Sequence, residues 1–160
     1  MDKFLLQQQV LKQLAEDLLQ AEQAARVAHE TATHEENIAE NKYDTLGLEA
    51  AYLATGQARR AEAIREAMAN WRQFRPRSYD ASTGIQLGAL VCLVDSDNKR
   101  QQLFLGPDGG SMQLVIGPEL VQVISSEAPL GQAILGKCEG DEVSIQVAST
   151  RRQFEVLRVH

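Results

Sequence analysis

A chain of 160 residues holds one compact domain or two small ones, at the usual 100 to 200 residues per domain. With 44% hydrophobic and 24% charged residues the composition is that of an ordinary folded protein, which argues against wholesale disorder and against a collagen-like repeat. A formal net charge of -6 argues against non-specific nucleic-acid binding by the whole surface, because such binding needs clustered cations to displace phosphate counterions.

The longest apolar stretch, Ala89 to Val94, falls far short of the roughly 18 to 20 residues that cross a bilayer. Met1 to Gln20 carries Asp2, Lys3, Lys12, Glu16 and Asp17 where a signal peptide needs an apolar core, so a cytoplasmic location is expected. Cys92 and Cys138 stand far apart with no CxxC pair, which reads as two reduced packing thiols.

From Phe4 onward, alternating steps of three and four meet apolar or small residues at Leu11, Leu14, Leu18, Ala21, Ala25, Ala28 and Ala32, broken only by Gln7. That is a heptad seam. A second run follows at Ala50, Ala54, Ala61, Ile64, Met68 and Trp71 and stops before Arg75-Pro76, where proline restricts the preceding residue and removes a donor. Proline is absent from Met1 to Arg75, so two helices of about 30 residues are predicted, each roughly 45 Å long. A reversal near Ala39 sets Leu14 opposite Ile64, Leu11 opposite Met68 and Phe4 near Phe74. Large residues then meet at the open end of an antiparallel hairpin and alanines line its stem; a coiled coil serving only self-association is the plainer alternative.

Between the runs, Glu35 to Asp44 holds the acids Glu35, Glu36, Glu40 and Asp44 against Lys42 alone, while Arg59, Arg60, Arg65, Arg72, Arg75 and Arg77 crowd the second run. Acids at a helix turn are most often a solvated surface, and the plain reading of the arginines is a solvated helix face paired with Glu62 and Glu66. The sharper reading makes Arg59, Arg60, Arg65 and Arg72 a basic patch toward RNA phosphates. His29 and His34 are five apart and do not share a helix face as metal ligands at i and i+4 would.

After a linker at 76–83 the period changes to two. Strands are predicted at Ile85 to Val94, Gln102 to Leu105, Met112 to Ile116, Val121 to Ile124, Val143 to Val147 and Gln153 to Val159, with a short helix from Pro129 to Leu135 started by proline and closed by Gly136. Gly106 to Gly110 reads as a hairpin turn. The expected fold class is α+β: a helical hairpin over 1–75 with an acidic tip near 35–44, the linker, and an antiparallel sheet domain over 84–160.

The stretch from Ile124 to Lys137, Ile-Ser-Ser-Glu-Ala-Pro-Leu-Gly-Gln-Ala-Ile-Leu-Gly-Lys, followed by Gly140-Asp141-Glu142-Val143, closely resembles the "S-P-[IL]-x-x-A-[IL]-[IL]-G-K-x-x-G-D-x-V" run of the Gre transcript cleavage factors of bacterial RNA polymerase. The resemblance covers nearly the whole chain. It implies an FKBP-like sheet domain that docks at the rim of the polymerase secondary channel through Glu127, Ala128, Pro129 and Leu130, with Pro129-Leu130 expected as an exposed apolar pair that anchors the contact. It also implies a hairpin reaching inward to the RNA 3′ end, and tip acids that help hold a Mg2+ shared with the polymerase active site. No cofactor of its own, no membrane contact and a monomeric state accompany that picture, and the chain would be an accessory factor rather than an enzyme.

Gre tips carry "D-[LFI]-[KRS]-E-N", the Asp and Glu being the catalytic and metal-holding pair. This chain reads Asn37-Ile38-Ala39-Glu40-Asn41: the Glu matches, and a neutral amide stands in the place of the Asp. If the backbone is shifted by one residue, Glu36 takes the missing role beside Glu40, the two sharing a face at i and i+4 on a helix. The sequence therefore carries two readings, a cleavage-stimulating factor acting through Glu36 and Glu40, and a Gre-shaped regulator that occupies the channel without efficient cleavage. A peptidyl-prolyl isomerase-like module is a third, disfavoured because residues 81–160 hold only Phe104 and Phe154 as aromatics.

Overall fold

The computed structural model describes residues 1–34, 46–108 and 111–160. Two long helices come first, α1 (Lys3–Thr33) and α2 (Leu46–Gln73), followed by strands β1 (Leu90–Asp95), β2 (Arg100–Gly106), β3 (Met112–Ile116) and β4 (Glu119–Ser125). A short helix α3 (Pro129–Ile134) then precedes β5 (Glu142–Val147) and β6 (Thr150–Val159). The chain packs as two compact units, Leu11–Ala69 and a second made of Met1–Val10 with Asn70–His160.

In the helical unit, Leu14, Ala21 and Ala28 are buried at seven-residue steps along α1, and Ala50, Ala61 and Met68 are buried on α2. Ala28, Val27, Ala50 and Leu53 line one groove, the register expected if the chain reverses near residue 39. Small seam residues let two helix backbones approach but remove little apolar area from water, so the stem depends on helix propensity as much as on burial. Glu22 of α1 and Arg65 of α2 form an ion pair at 2.8 Å, and Glu62 joins Arg65 at 3.0 Å.

The second unit is built on a six-stranded sheet of order β3-β4-β2-β1-β6-β5. Its neighbours are antiparallel except β2 and β4, which run parallel, so the antiparallel sheet expected from sequence is present with one parallel pair within it. Gly106 to Gly110 accordingly does not join two paired strands; the chain leaves β2 there and returns through the β3–β4 hairpin. Period-two alternation is preserved. Leu103 and Leu105 enter the main core with Leu93, Ile134 and Val156, while Phe104 on the opposite face lies 5.8 Å from the Trp71 ring.

Two details at the ends depart from expectation. Strand β1 starts at Leu90 instead of Ile85, because the Ile85 backbone is taken by the end of α3: its N–H donates to Lys137 O at 2.8 Å and its carbonyl accepts from Gly136 N at 2.8 Å. Phe4, expected to meet Phe74, is 63% exposed, and Leu6, Gln7 and Val10 hold the buried face of the first turns. Asp2 starts that helix, its side chain accepting from Phe4 N at 2.9 Å as N-cap residues do.

Candidate functional site

The proposed catalytic and metal-holding residues Glu36 and Glu40, together with Glu35, Asn37, Asn41 and Asp44, lie outside the described residues. Among the described residues no three His, Cys, Asp or Glu side chains come together as a metal site.

The expected basic patch is described in full. Arg59, Arg60, Arg65 and Arg72 are all exposed; at 100° per residue Arg59, Arg60 and Arg65 point about 100° or more apart, while Arg72 falls about 20° from Arg65, so only those two share a face of α2. Arg65 is also committed. Its hydrogen bonds to Glu22 and Glu62 raise its already high pKa, and a guanidinium held by two carboxylates has less charge to offer a phosphate. Pairing with Glu62 was expected; the partner on the other helix, Glu22, was not.

The loop singled out for docking is built around α3. β4 ends at Ser125, the chain turns with Ala128 N donating to Ser125 O at 3.2 Å, and Ala128 serves as an extended N-cap before Pro129 at the first helical position. Gly131 is buried against this turn, and a Cβ there would lie 2.1 Å from Ser125 O, so only glycine lets the helix sit so close to the strand it follows. Glu127 and Pro129 are exposed. Leu130 and Ala128 pack against the sheet core, which corrects the expectation of an exposed Pro129-Leu130 pair: a first-turn residue beside the buried Gly131 and Ile134 faces inward. The outward surface of the loop is thus Glu127, Pro129, Gln132 and Leu135.

Sequence reasoning read Gln7 as a break in the seam. It is buried at 5% exposure and its amide donates to Trp71 O at 2.6 Å and to Phe74 O at 2.8 Å. These carbonyls lie at the C-terminal end of α2, where backbone acceptors lack helical donors, so a polar residue inside the apolar seam was itself the signal. Trp71 is fastened on its other side by its indole N–H to Asp108 O at 2.7 Å, and Asn70 reaches the Asp108 carboxylate at 2.7 Å.

The profile of the family described as "Transcription elongation factor, GreA/GreB, C-term" matches residues 81–160. The transcription elongation factor GreA of Alkalilimnicola ehrlichii is 26% identical over 102 residues, covering 62% of this chain and 60% of that protein. The transcription elongation factor GreA of Desulfovibrio desulfuricans is 32% identical over 111 residues, covering 64% of each. The chain thus spans about three fifths of the length of these relatives. The crystal structure of Thermus aquaticus Gfh1 aligns over 96% of this chain and 92% of that chain, at 25% identity and a TM-score of 0.41.

Proposed function

Because this chain belongs to the GreA/GreB family of transcription elongation factors, we propose that it binds bacterial RNA polymerase, places its hairpin in the secondary channel and stimulates cleavage of backtracked RNA. The observation that carries this reading is the family match over residues 81–160, the half that contains the Ser125–Lys137 loop and helix. Docking runs through Glu127, Pro129 and the outward residues of α3, and the helical unit supplies reach: a helix of 31 residues is roughly 46 Å long.

The donor set at the tip suits a hard cation, since Mg2+ takes one or two carboxylates and completes its shell with waters and phosphates. Glu36 and Glu40 are the residues that would hold it, and when bound it supplies stabilisation of the attacking and leaving oxygens in phosphodiester hydrolysis. The remaining tip acids, Glu35 and Asp44, add negative charge that attracts a divalent ion and repels RNA phosphate until the ion is present. Asn37 favours a second reading, a secondary-channel regulator that binds without efficient cleavage, because an amide contributes a dipole where the family pattern has a charge.

Stalled, backtracked elongation complexes incubated with the full chain in Mg2+ provide the test. Shortened transcripts are expected from the first reading. Polymerase binding and competition with a cleavage-active Gre factor, without shortening, would select the second; absence of polymerase binding would overturn both.

A further inference from the structure

A cleft of about 790 Å3 opens inside the sheet unit between the end of α2 and the loops before β1, lined by Phe74, Arg75, Arg77, Tyr79, Asp80 and Leu87 among others. It lies away from the docking loop in sequence and plays no part in the cleavage reading. Its volume is that of a small-molecule site, and its lining is divided in character. Phe74 and Tyr79 are half-buried and, with Leu87, supply an apolar portion, while Arg75 and Arg77 are exposed guanidinium groups at its edge.

The segment that enters the cleft carries only positive charge before Asp80. No acidic residue occurs between Glu66 and Asp80, and Arg72, Arg75 and Arg77 all fall in that interval. Arg75 is held in place by two bonds from Nη1, to Arg72 O at 2.8 Å and Phe74 O at 2.9 Å, which leave its other N–H groups for a ligand. The Arg77 backbone is fixed by the Lys3 ammonium donating to its carbonyl, and its guanidinium has no ion-pair partner among the described residues. Asp80, the single acid in the lining, is oriented rather than loose: Oδ1 accepts from the Ser82 N–H at 2.9 Å and hydroxyl at 2.8 Å, leaving Oδ2 to accept from a hydroxyl or amine.

Two guanidinium groups suit the oxygens of a phosphate or diphosphate, which they bind in a fork. An adjacent carboxylate acceptor suits a sugar hydroxyl or an exocyclic amine, and aromatic and aliphatic walls suit a planar base. A bare anion would leave most of the volume and the whole apolar portion unused. We propose that this cleft binds a free nucleotide of the nucleoside diphosphate class, with its phosphates on Arg77 and Arg75 and a hydroxyl or amine on Asp80.

Calorimetric titration of the full chain with ADP and GDP, alongside adenosine and pyrophosphate, tests this. At least one nucleotide should bind saturably and about tenfold or more tighter than either fragment, and Arg77→Ala should weaken it by a similar factor, as removal of a charge-assisted fork does. Because Arg77 is exposed, that variant should keep the wild-type melting temperature; Arg77→Lys should recover part of the affinity. No saturable binding of either nucleotide at millimolar concentration would overturn the proposal. So would equal binding by wild type and Arg77→Ala, pyrophosphate binding as tightly as the nucleotides, or a short single-stranded RNA occupying the same arginines far more tightly than any nucleotide.

Discussion

Gln7 is the residue whose chemistry is most exposed to test. Its amide serves two carbonyls at once, and Leu in its place matches the surrounding seam in polarity but strands the buried Trp71 carbonyl and leaves Phe74 O to Arg75 alone. Gln7→Leu should therefore lower stability, by about 1 to 3 kcal/mol for lost buried hydrogen bonds, in spite of its greater hydrophobicity. Gln7→Glu should be worse at neutral pH, since a carboxylate would face two carbonyl oxygens, and should recover in acid as the protonated group regains one donor. Urea midpoints at pH 7 and pH 4 check the order; a Leu variant as stable as wild type would show that the amide only fills space. Asp80 offers a second check. The Ser82 N–H, and after it the Ser82 hydroxyl, hold its pKa below the ordinary 3.8, so its ionised form favours the folded state. That contribution is present above the unfolded pKa and is lost as pH falls through the lower folded value. The stability gap between wild type and Asp80→Asn should accordingly narrow as pH falls below about 4; a constant gap between pH 5 and pH 2.5 would refute the role.

At the scale of elements, periodicity carried the reading well where a single face decides the structure. Seven-residue steps located α1 and α2, and the expected limits Met112 to Ile116 coincide with β3. Pairing order was not legible, because alternation fixes which side chains face the core and says nothing about which neighbour a strand takes; the parallel β2–β4 pair arises from a return path that no local pattern encodes. Leu130 was misjudged for a related reason. Its inward direction is set by how closely Gly131 lets α3 approach Ser125, a contact between segments. The acids at 35–44 are read from composition and motif alone and lie outside the described residues. These distinctions reshape the docking prediction: Glu127→Lys and Pro129→Ala should weaken polymerase binding while leaving the melting temperature unchanged, since both side chains are exposed. Leu130→Asp should instead destabilise the sheet unit by driving a carboxylate toward the core, so its loss of binding would be uninformative. Unaltered polymerase affinity in both the Glu127 and Pro129 variants would remove the loop from the interface.

At the scale of the whole molecule, the chain combines a sheet unit with the family's sequence signature and a helical unit with an alanine-rich seam. Under the proposed function, the chemistry of residues 35–44, which lie outside the described residues, separates the two readings. Recruiting a divalent ion needs negative charge at close range, and each full charge at about 4 Å contributes roughly 4 kcal/mol of attraction per unit of ion charge at an effective dielectric of about 20, before desolvation is counted. Asn37 forfeits one such charge relative to the family pattern. If Glu36 restores it, cleavage should persist, require Mg2+, and fall sharply in both Glu36→Ala and Glu40→Ala. If Glu36 does not, wild type should bind polymerase and stimulate little cleavage, whereas Asn37→Asp should raise cleavage and lower the Mg2+ concentration needed for half-maximal rate. Gel analysis of transcripts from backtracked complexes across a Mg2+ titration distinguishes these outcomes. Equal shortening by wild type and the Glu36→Ala, Glu40→Ala double variant, at every Mg2+ concentration, would show that the tip carboxylates do not hold the ion at all.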